Sequence, residues 1–163
     1  MALDIVGTAT KVFGALAQRL LRKWLFEVEF ISGKYVVSTY ERGDSPRVDV
    51  WLSIRVHNRN NSPTTVFPDR LVITLADGEE DCFDLPTVAP YGRLVSPFEA
   101  SRQIQVGGSS TLELTFSSSK YFPRLPDSYL RGIPPRVTLR LAETFGNRRE
   151  VSGMLEFGQI LKQ

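Results

Sequence analysis

Cysteine and histidine are nearly absent from this sequence of 163 residues. The chain has one cysteine, Cys82, and one histidine, His57. A single cysteine cannot form an internal disulfide, so the sequence favours a cytoplasmic protein. Zinc sites draw on several cysteine and histidine ligands, and we therefore expect no metal and no cofactor. We predict that Cys82 is a small, partly buried residue of a strand.

Long apolar runs and a strong charge imbalance are also missing. No segment has the stretch of about 18 or more apolar residues that spans a membrane. Lysine and arginine total 20 against 18 acidic residues, a weaker basic balance than nucleic-acid-binding domains usually show. With 42% hydrophobic residues, the composition predicts one globular domain. Charge alone selects no partner.

Residue types used in catalysis are present, but without the spacing of known motifs. His57 lies in a strand pattern and has no serine nucleophile motif with it. Gly107-Gly108 lacks the lysine of a phosphate-binding loop and is typical of a bend before a strand. The acidic stretch after Asp77 lacks the terminal glutamate of a calcium loop, which favours a solvated hairpin tip. We expect a non-enzyme, and a small enzyme using these carboxylates is the less favoured alternative.

The N-terminus has the clearest helical pattern in the chain. Its apolar positions follow the i, i+3, i+4, i+7 spacing of one helical face, and they are Ile5, Val6, Ala9, Val12, Phe13, Leu16, Ala17, Leu20 and Trp24. Arg19, Arg22 and Lys23 give the polar face a positive charge. The pattern predicts an amphipathic helix over residues 1–25.

From Phe26 onward the pattern changes to short alternating segments separated by turn residues. In "VDVWLSIRVHN", from Val48 to Asn58, apolar side chains occupy every second position, as on the inner face of a strand. Asp77-Gly78 is the kind of dipeptide that a tight hairpin prefers. These features predict a mainly β fold: an immunoglobulin-like antiparallel β-sandwich over residues 26–158, with a tail at 159–163.

Two hairpin registers are open for the closing segment "LRLAETFGNRREVSGMLEF". A two-residue turn at Gly146-Asn147 would pair Leu141 with Ser152. A three-residue loop over residues 146–148 would pair Leu139 with Leu155 and keep the apolar faces together. We therefore predict the three-residue loop.

Trp51 lies on the opposite face of its strand from the apolar residues. The apolar face of the predicted helix is also large, and an exposed apolar surface of that size favours association. Three hypotheses say what covers these residues. In the first hypothesis the helix packs on its own sandwich, bringing Trp51 or Tyr35 near its apolar residues. The second is association with a protein partner or a second copy. The third is a peripheral membrane contact through the cationic helix. Candidate partner-binding residues are Phe13, Leu16, Leu20, Trp24, Trp51, Tyr121, Phe122 and Tyr129.

A segment rich in proline, "KYFPRLPDSYLRGIPP", mixes aromatic and basic residues. Lys120, Arg124 and Arg131 interleave with rings there, as on surfaces that bind single-stranded nucleic acid. An aromatic loop packed on the end of the sandwich explains the same residues and is favoured, so nucleic acid is not an expected partner. One helical turn is expected after Pro126-Asp127.

Three segments together are similar to one known group of modules. They are "VDVWLSIRVHNRNNSPTTV", "QVGGSSTLELTF" and "PPRVTLRLAETFGNRREVSGMLEF". Over about residues 48–157 the chain resembles the immunoglobulin-like domains of the late-embryogenesis-abundant type 2 and water-stress response families. The resemblance implies a β-sandwich that acts as a structural or binding module rather than as an enzyme.

Overall fold

The computed structural model describes residues 14, 25–39, 45–92, 101–131, 133–144 and 146–162. The predicted N-terminal helix lies almost entirely outside them and stays a prediction. The elements in chain order are β1 (Phe26–Thr39), β2 (Arg47–Asn58), β3 (Thr64–Thr74), β4 (Glu80–Phe83), β5 (Thr87–Pro90), β6 (Ile104–Val106), β7 (Ser110–Tyr121), a 3₁₀ turn (Asp127–Tyr129), β8 (Arg136–Glu143), β9 (Arg148–Met154) and β10 (Glu156–Lys162). The expected turn after Pro126-Asp127 is confirmed.

The strands form two sheets. The large sheet has the order β10-β1-β2-β7-β5, and the small sheet has the order β4-β3-β8-β9, with β6 also pairing with β3. The chain is therefore mainly β and has the layout of a two-sheet sandwich, as predicted. The expectation of a wholly antiparallel fold is wrong in one place, because β1 and β10 are parallel.

The core lies between the inner faces of the two sheets. Every second residue of β2 is buried, and Leu52 and Ile54 are at most 1% exposed, which confirms the predicted inner face. β7 adds Leu114 and Phe116 from the next strand. The small sheet supplies Leu71, Ile73, Leu139 and Leu141 from the other side. Alternation in the sequence thus sets which face of each strand is inside.

β1 is one long strand that runs through Ser32-Gly33 without ending there. The pairing with β2 shifts between Phe30 and Ser32, which marks a β-bulge, and then continues. Gly33 is needed where it stands, because a Cβ there would lie 2.6 Å from the Leu155 side chain. The glycine therefore serves close packing and does not end the strand.

The hairpin predicted at Asp77-Gly78 is confirmed. β3 and β4 pair antiparallel from Leu71 to Thr74, and the Leu75 N–H donates to the Glu79 carbonyl at 2.8 Å. Gly78 has a φ of 87°, a left-handed conformation that glycine adopts without steric cost.

The predicted register of the closing hairpin is wrong. Leu139 pairs with Val151 and Leu141 with Arg149, and the chain turns between Glu143 and Asn147, whose backbones are hydrogen-bonded at 3.1 Å. The predicted loop over residues 146–148 therefore lies too late in the chain. The prediction failed because it treated the rest of the segment as one strand.

That segment is divided between the two sheets. β9 ends at Met154 in the small sheet, and β10 begins at Glu156 beside β1 in the large sheet. Leu155 at the corner is buried, and its N–H donates to the Pro135 carbonyl at 2.9 Å. Residues 159–162 belong to β10, so the predicted tail at 159–163 is wrong. An apolar corner residue makes this change of sheet favourable.

Candidate interaction surfaces

The predicted partner-binding residues separate into three groups. Phe13, Leu16, Leu20 and Trp24 lie outside the described residues. Trp51 is half-buried on the outer face of the large sheet, and Tyr121 is exposed. Phe122 and Tyr129 are buried in the core and are not accessible to a partner. The sequence showed aromatic residues in this region but not their orientation.

Trp51 is partly covered by its neighbours on the same sheet. Lys34 is its direct partner on β1, and the Lys34 ammonium lies 5.5 Å from the centre of the Trp51 ring. Such a cation–π contact gives the ring a local partner. Tyr35, the alternative contact proposed for the helix, is wholly buried and faces the core. A helix on the outer face could therefore reach Trp51 but not Tyr35.

Beside Trp51, charged residues form a row across three strands. Arg55 donates to Glu113 at 2.6 Å and to Glu29 at 3.0 Å. The hydrogen bond to Glu113 is the largest cause that raises the pKa of Arg55 above its usual value, and the bond to Glu29 adds to it. One guanidinium thus joins β1, β2 and β7 on the outer face. His57 continues this surface, with its Nδ1 2.9 Å from the Thr111 hydroxyl.

Residues of the proline-rich segment pack on one end of the sandwich and form polar contacts there. The Tyr129 hydroxyl donates to Asp81 at 3.0 Å, and the Lys120 ammonium lies 2.5 Å from the same carboxylate. Lys120 also lies 4.8 Å from the centre of the Phe122 ring. Burial, reinforced by the Asp81 charge, raises the pKa of Tyr129 far above its ordinary value. The end of the sandwich is therefore closed by satisfied polar groups.

An apolar border lies along β10 and the adjoining loop. Its exposed residues, called the β10 border below, are Leu130, Ile133, Phe157 and Ile160, each between 38% and 48% exposed. The segments that carry them run near each other, because Phe157 packs on Tyr35 with ring centres 5.3 Å apart, and Tyr35 in turn donates to the carbonyl of Tyr129, the residue before Leu130. A hydrogen bond from the Leu155 N–H to the Pro135 carbonyl joins the residue before β10 to the residue before β8. A cluster of large apolar side chains in water is typical of a binding surface.

Two shallow polar depressions lie elsewhere on the described surface. One, of about 200 Å³, is lined by Arg70, Arg140 and Glu150 among others on the outer face of the small sheet. The other, of about 250 Å³, is lined by His57, Arg59 and hydroxyl groups. Both are smaller than ligand pockets, which usually exceed about 300 Å³.

Cys82 lies beside the first depression and is exposed, not partly buried as predicted. It projects outward from the short edge strand β4, where the Arg70 guanidinium lies 3.8 Å from its sulfur.

Within the described part of the chain, no group of acidic, cysteine and histidine residues could hold a metal ion. The helices described there include none long and apolar enough to cross a bilayer.

Comparisons with known proteins give weak similarities only. No protein family and no curated protein matches the sequence. Among solved structures, the ApaA protein of Bordetella pertussis has a TM-score of 0.40 and 13% identity, covering 81% of this chain and 93% of its own. A FixG-related protein from Vibrio parahaemolyticus also has a TM-score of 0.40, with 14% identity over 82% of this chain and 96% of its own.

A third structure, the periplasmic chaperone SfaE, has a TM-score of 0.33 and 11% identity, covering 82% of this chain and 56% of its own. None of the three scores reaches 0.5, so these similarities do not assign a function. The class that the structure itself defines is a two-sheet β-sandwich.

Proposed function

We propose that this chain is a non-catalytic, immunoglobulin-like interaction or structural module that binds a protein partner or a second copy of itself. The observation that carries the proposal is the β10 border. Its four large apolar side chains lie at the open margin of the sandwich and remain exposed. Burying such a surface against another apolar surface is the main favourable term in protein association.

The predicted N-terminal helix adds a second apolar surface to this module. Its stripe includes Phe13, Leu16 and Leu20, and we propose that it contributes to the same kind of partner or oligomer contact. A cytoplasmic location fits the single cysteine. The alternative is a peripheral membrane protein held by the cationic helix, for which Arg19, Arg22 and Lys23 are the supporting residues.

Affinity capture from an extract of the source cells tests the proposal. The bait is the full chain, compared with Ile133→Lys in the β10 border and with Leu85→Lys as a matched control. Leu85 is 42% exposed and lies between β4 and β5, away from β10. We expect the wild type and Leu85→Lys to retain the same protein, and Ile133→Lys to lose it. Equal capture of that protein by all three chains would contradict the proposal, and so would capture by none of them together with a wild-type chain that is monomeric in sedimentation equilibrium.

Sedimentation with anionic liposomes tests the membrane alternative. Replacing Arg19, Arg22 and Lys23 together by glutamine should abolish co-sedimentation if the helix binds the membrane surface. A wild-type chain that stays in the supernatant would exclude this alternative.

A further inference from the structure

β10 has an edge that no other described strand occupies. It is the last strand of the large sheet and pairs with β1 along one side only. The backbone N–H and C=O groups along such an edge can accept a further strand. An edge strand beside an apolar border combines two features that favour association.

The register of β10 places its two exposed apolar side chains on one face. Phe157 is paired with Tyr35 and Ile160 with Val37, and the register shifts between these pairs. Tyr35 and Val37 are both fully buried in the core. Because directly paired residues point to the same side of a sheet, Phe157 and Ile160 both face inward. They remain partly exposed since β10 is the outermost strand.

This arrangement makes β10 complementary to itself. A second β10 can pair antiparallel about a two-fold axis that passes between Gly158 and Gln159. Phe157 of each copy then lies opposite Ile160 of the other, and the two apolar pairs cover each other. Glu156 lies opposite Leu161, so the pairing brings no like charges together. A two-fold interface requires this kind of self-complementary patch.

We propose that two copies of the chain associate by antiparallel pairing of their β10 strands, which joins their large sheets into one continuous sheet. This inference rests on the proposed function and names a second copy as the partner. A second copy fits better than an unrelated strand because β10 supplies both members of each apolar pair. Leu130 and Ile133, the other exposed residues of the β10 border, are available to extend the contact beyond the strand edge.

Sedimentation equilibrium across a dilution series tests the association with the full chain. We expect the wild type and the Leu85→Lys control to show a dimer, and Ile160→Lys to shift to a monomer while keeping its circular dichroism spectrum. Since Ile160 is 44% exposed, lysine can be solvated there in the monomer. A monomeric wild type at every concentration, or a dimer unaffected by Ile160→Lys, would overturn the proposal.

A variant in the predicted N-terminal helix distinguishes pairing of β10 from association through the apolar face of that helix. Leu16→Glu should leave the dimer intact if β10 forms the interface. If instead Leu16→Glu dissolves the dimer and Ile160→Lys does not, β10 pairing is refuted, but a self-associating module remains. If the wild type is monomeric and captures a different protein through the border, the second copy is refuted and the proposed function is supported.

Cysteine cross-linking tests the register. Phe157→Cys and Ile160→Cys are prepared separately, each in a Cys82→Ser chain, and are oxidised alone or mixed. Because residue 157 faces residue 160 across the proposed axis, the mixture should give a disulfide-linked dimer and each variant alone should not. No cross-link in the mixture, or the same yield in all three samples, would refute the register.

Discussion

Asp49 shows that a polar residue on an outer sheet face can still be buried. Alternation in the sequence places Asp49 opposite the core, which suggests that its removal costs little. In the structure it is 7% exposed, accepts a hydrogen bond from Arg47 at 3.0 Å and is also bonded to Ser119. Alternation identifies the face of a strand but does not show what covers that face.

We therefore expect Asp49→Ala to lower the free energy of unfolding by about 1–3 kcal/mol, because it removes the buried acceptor of two part-buried hydrogen bonds. Ser53→Ala on the same face should change it by less than about 0.5 kcal/mol, and Leu52→Ala in the core should cost about 2–5 kcal/mol. Urea denaturation measures all three. Equal values for Asp49→Ala and Ser53→Ala would mean that the buried carboxylate adds no stability.

Two adjacent glycines provide a matched pair for close packing. A Cβ at Gly108 would lie 2.1 Å from the backbone oxygen of Asn61, whereas at Gly107 the nearest atom would be the Ser110 hydroxyl at 3.3 Å. Backbone cannot move aside as a side chain can, so Gly108→Ala should cost about 1–3 kcal/mol. Gly107→Ala should cost less in the same thermal or urea unfolding experiment. The reverse order would refute the close approach of the two loops.

Tyr129 makes the stability of the fold decrease as the pH rises into the alkaline range. Burial, with a contribution from Asp81, raises the pKa of its hydroxyl, so the folded protein keeps a proton that the unfolded chain loses above about pH 10. The contribution of Tyr129 is therefore fully present below that pH. As the pH rises further, the free energy of unfolding should fall by up to about 1.4 kcal/mol per pH unit.

Tyr129→Phe should make this decline shallower in urea melts between about pH 8 and 11. Some decline should remain, because burial also raises the pKa of Tyr35. The same slope for variant and wild type would contradict a buried, protonated Tyr129.

At the scale of elements, the corner at Leu155 directs the chain from one sheet to the other. Its side chain is fully buried and lies against Gly33 of β1. We expect Leu155→Ala to loosen β10 selectively, so that amide hydrogens of Phe157 to Leu161 exchange faster with solvent. The control is Val151→Ala in β9, which should affect β9 and β8 instead. Uniform acceleration through all strands in both variants would refute a local role for the corner.

The sequence predicts strands well where the signal is local. The alternation in β2 identifies its buried face, and Asp77-Gly78 identifies the β3–β4 hairpin, because both patterns act over a few residues. The pairing of β10 with β1 joins Phe157 to Tyr35 across most of the chain. No short-range pattern specifies such a parallel contact. The closing hairpin was mispredicted for this reason.

At the scale of the whole molecule, the candidate surface was also only partly predictable. Trp51 could be placed on the outer face of a strand from alternation, whereas the sequence predicts Tyr121 in the proline-rich loop and the structure has it as the last residue of β7. Phe122 and Tyr129 could not be placed, since a loop rich in proline has no period that separates inside from outside. The β10 border was missed because its residues come from two segments that are distant in sequence, and Tyr35 contacts both Tyr129 and Phe157 only in the folded chain. Surfaces built from distant segments require the fold.

Backbone amide exchange in β10, measured at several concentrations of the full chain, tests the central claim most directly. If β10 is the surface through which the protein associates, the amides along its free edge, on the side away from β1, should become more protected from hydrogen exchange as the protein concentration rises. Amides of β4, an edge strand of the small sheet, should show no such change. Protection in β10 that is independent of concentration, and unchanged when a captured partner is added, would contradict the account.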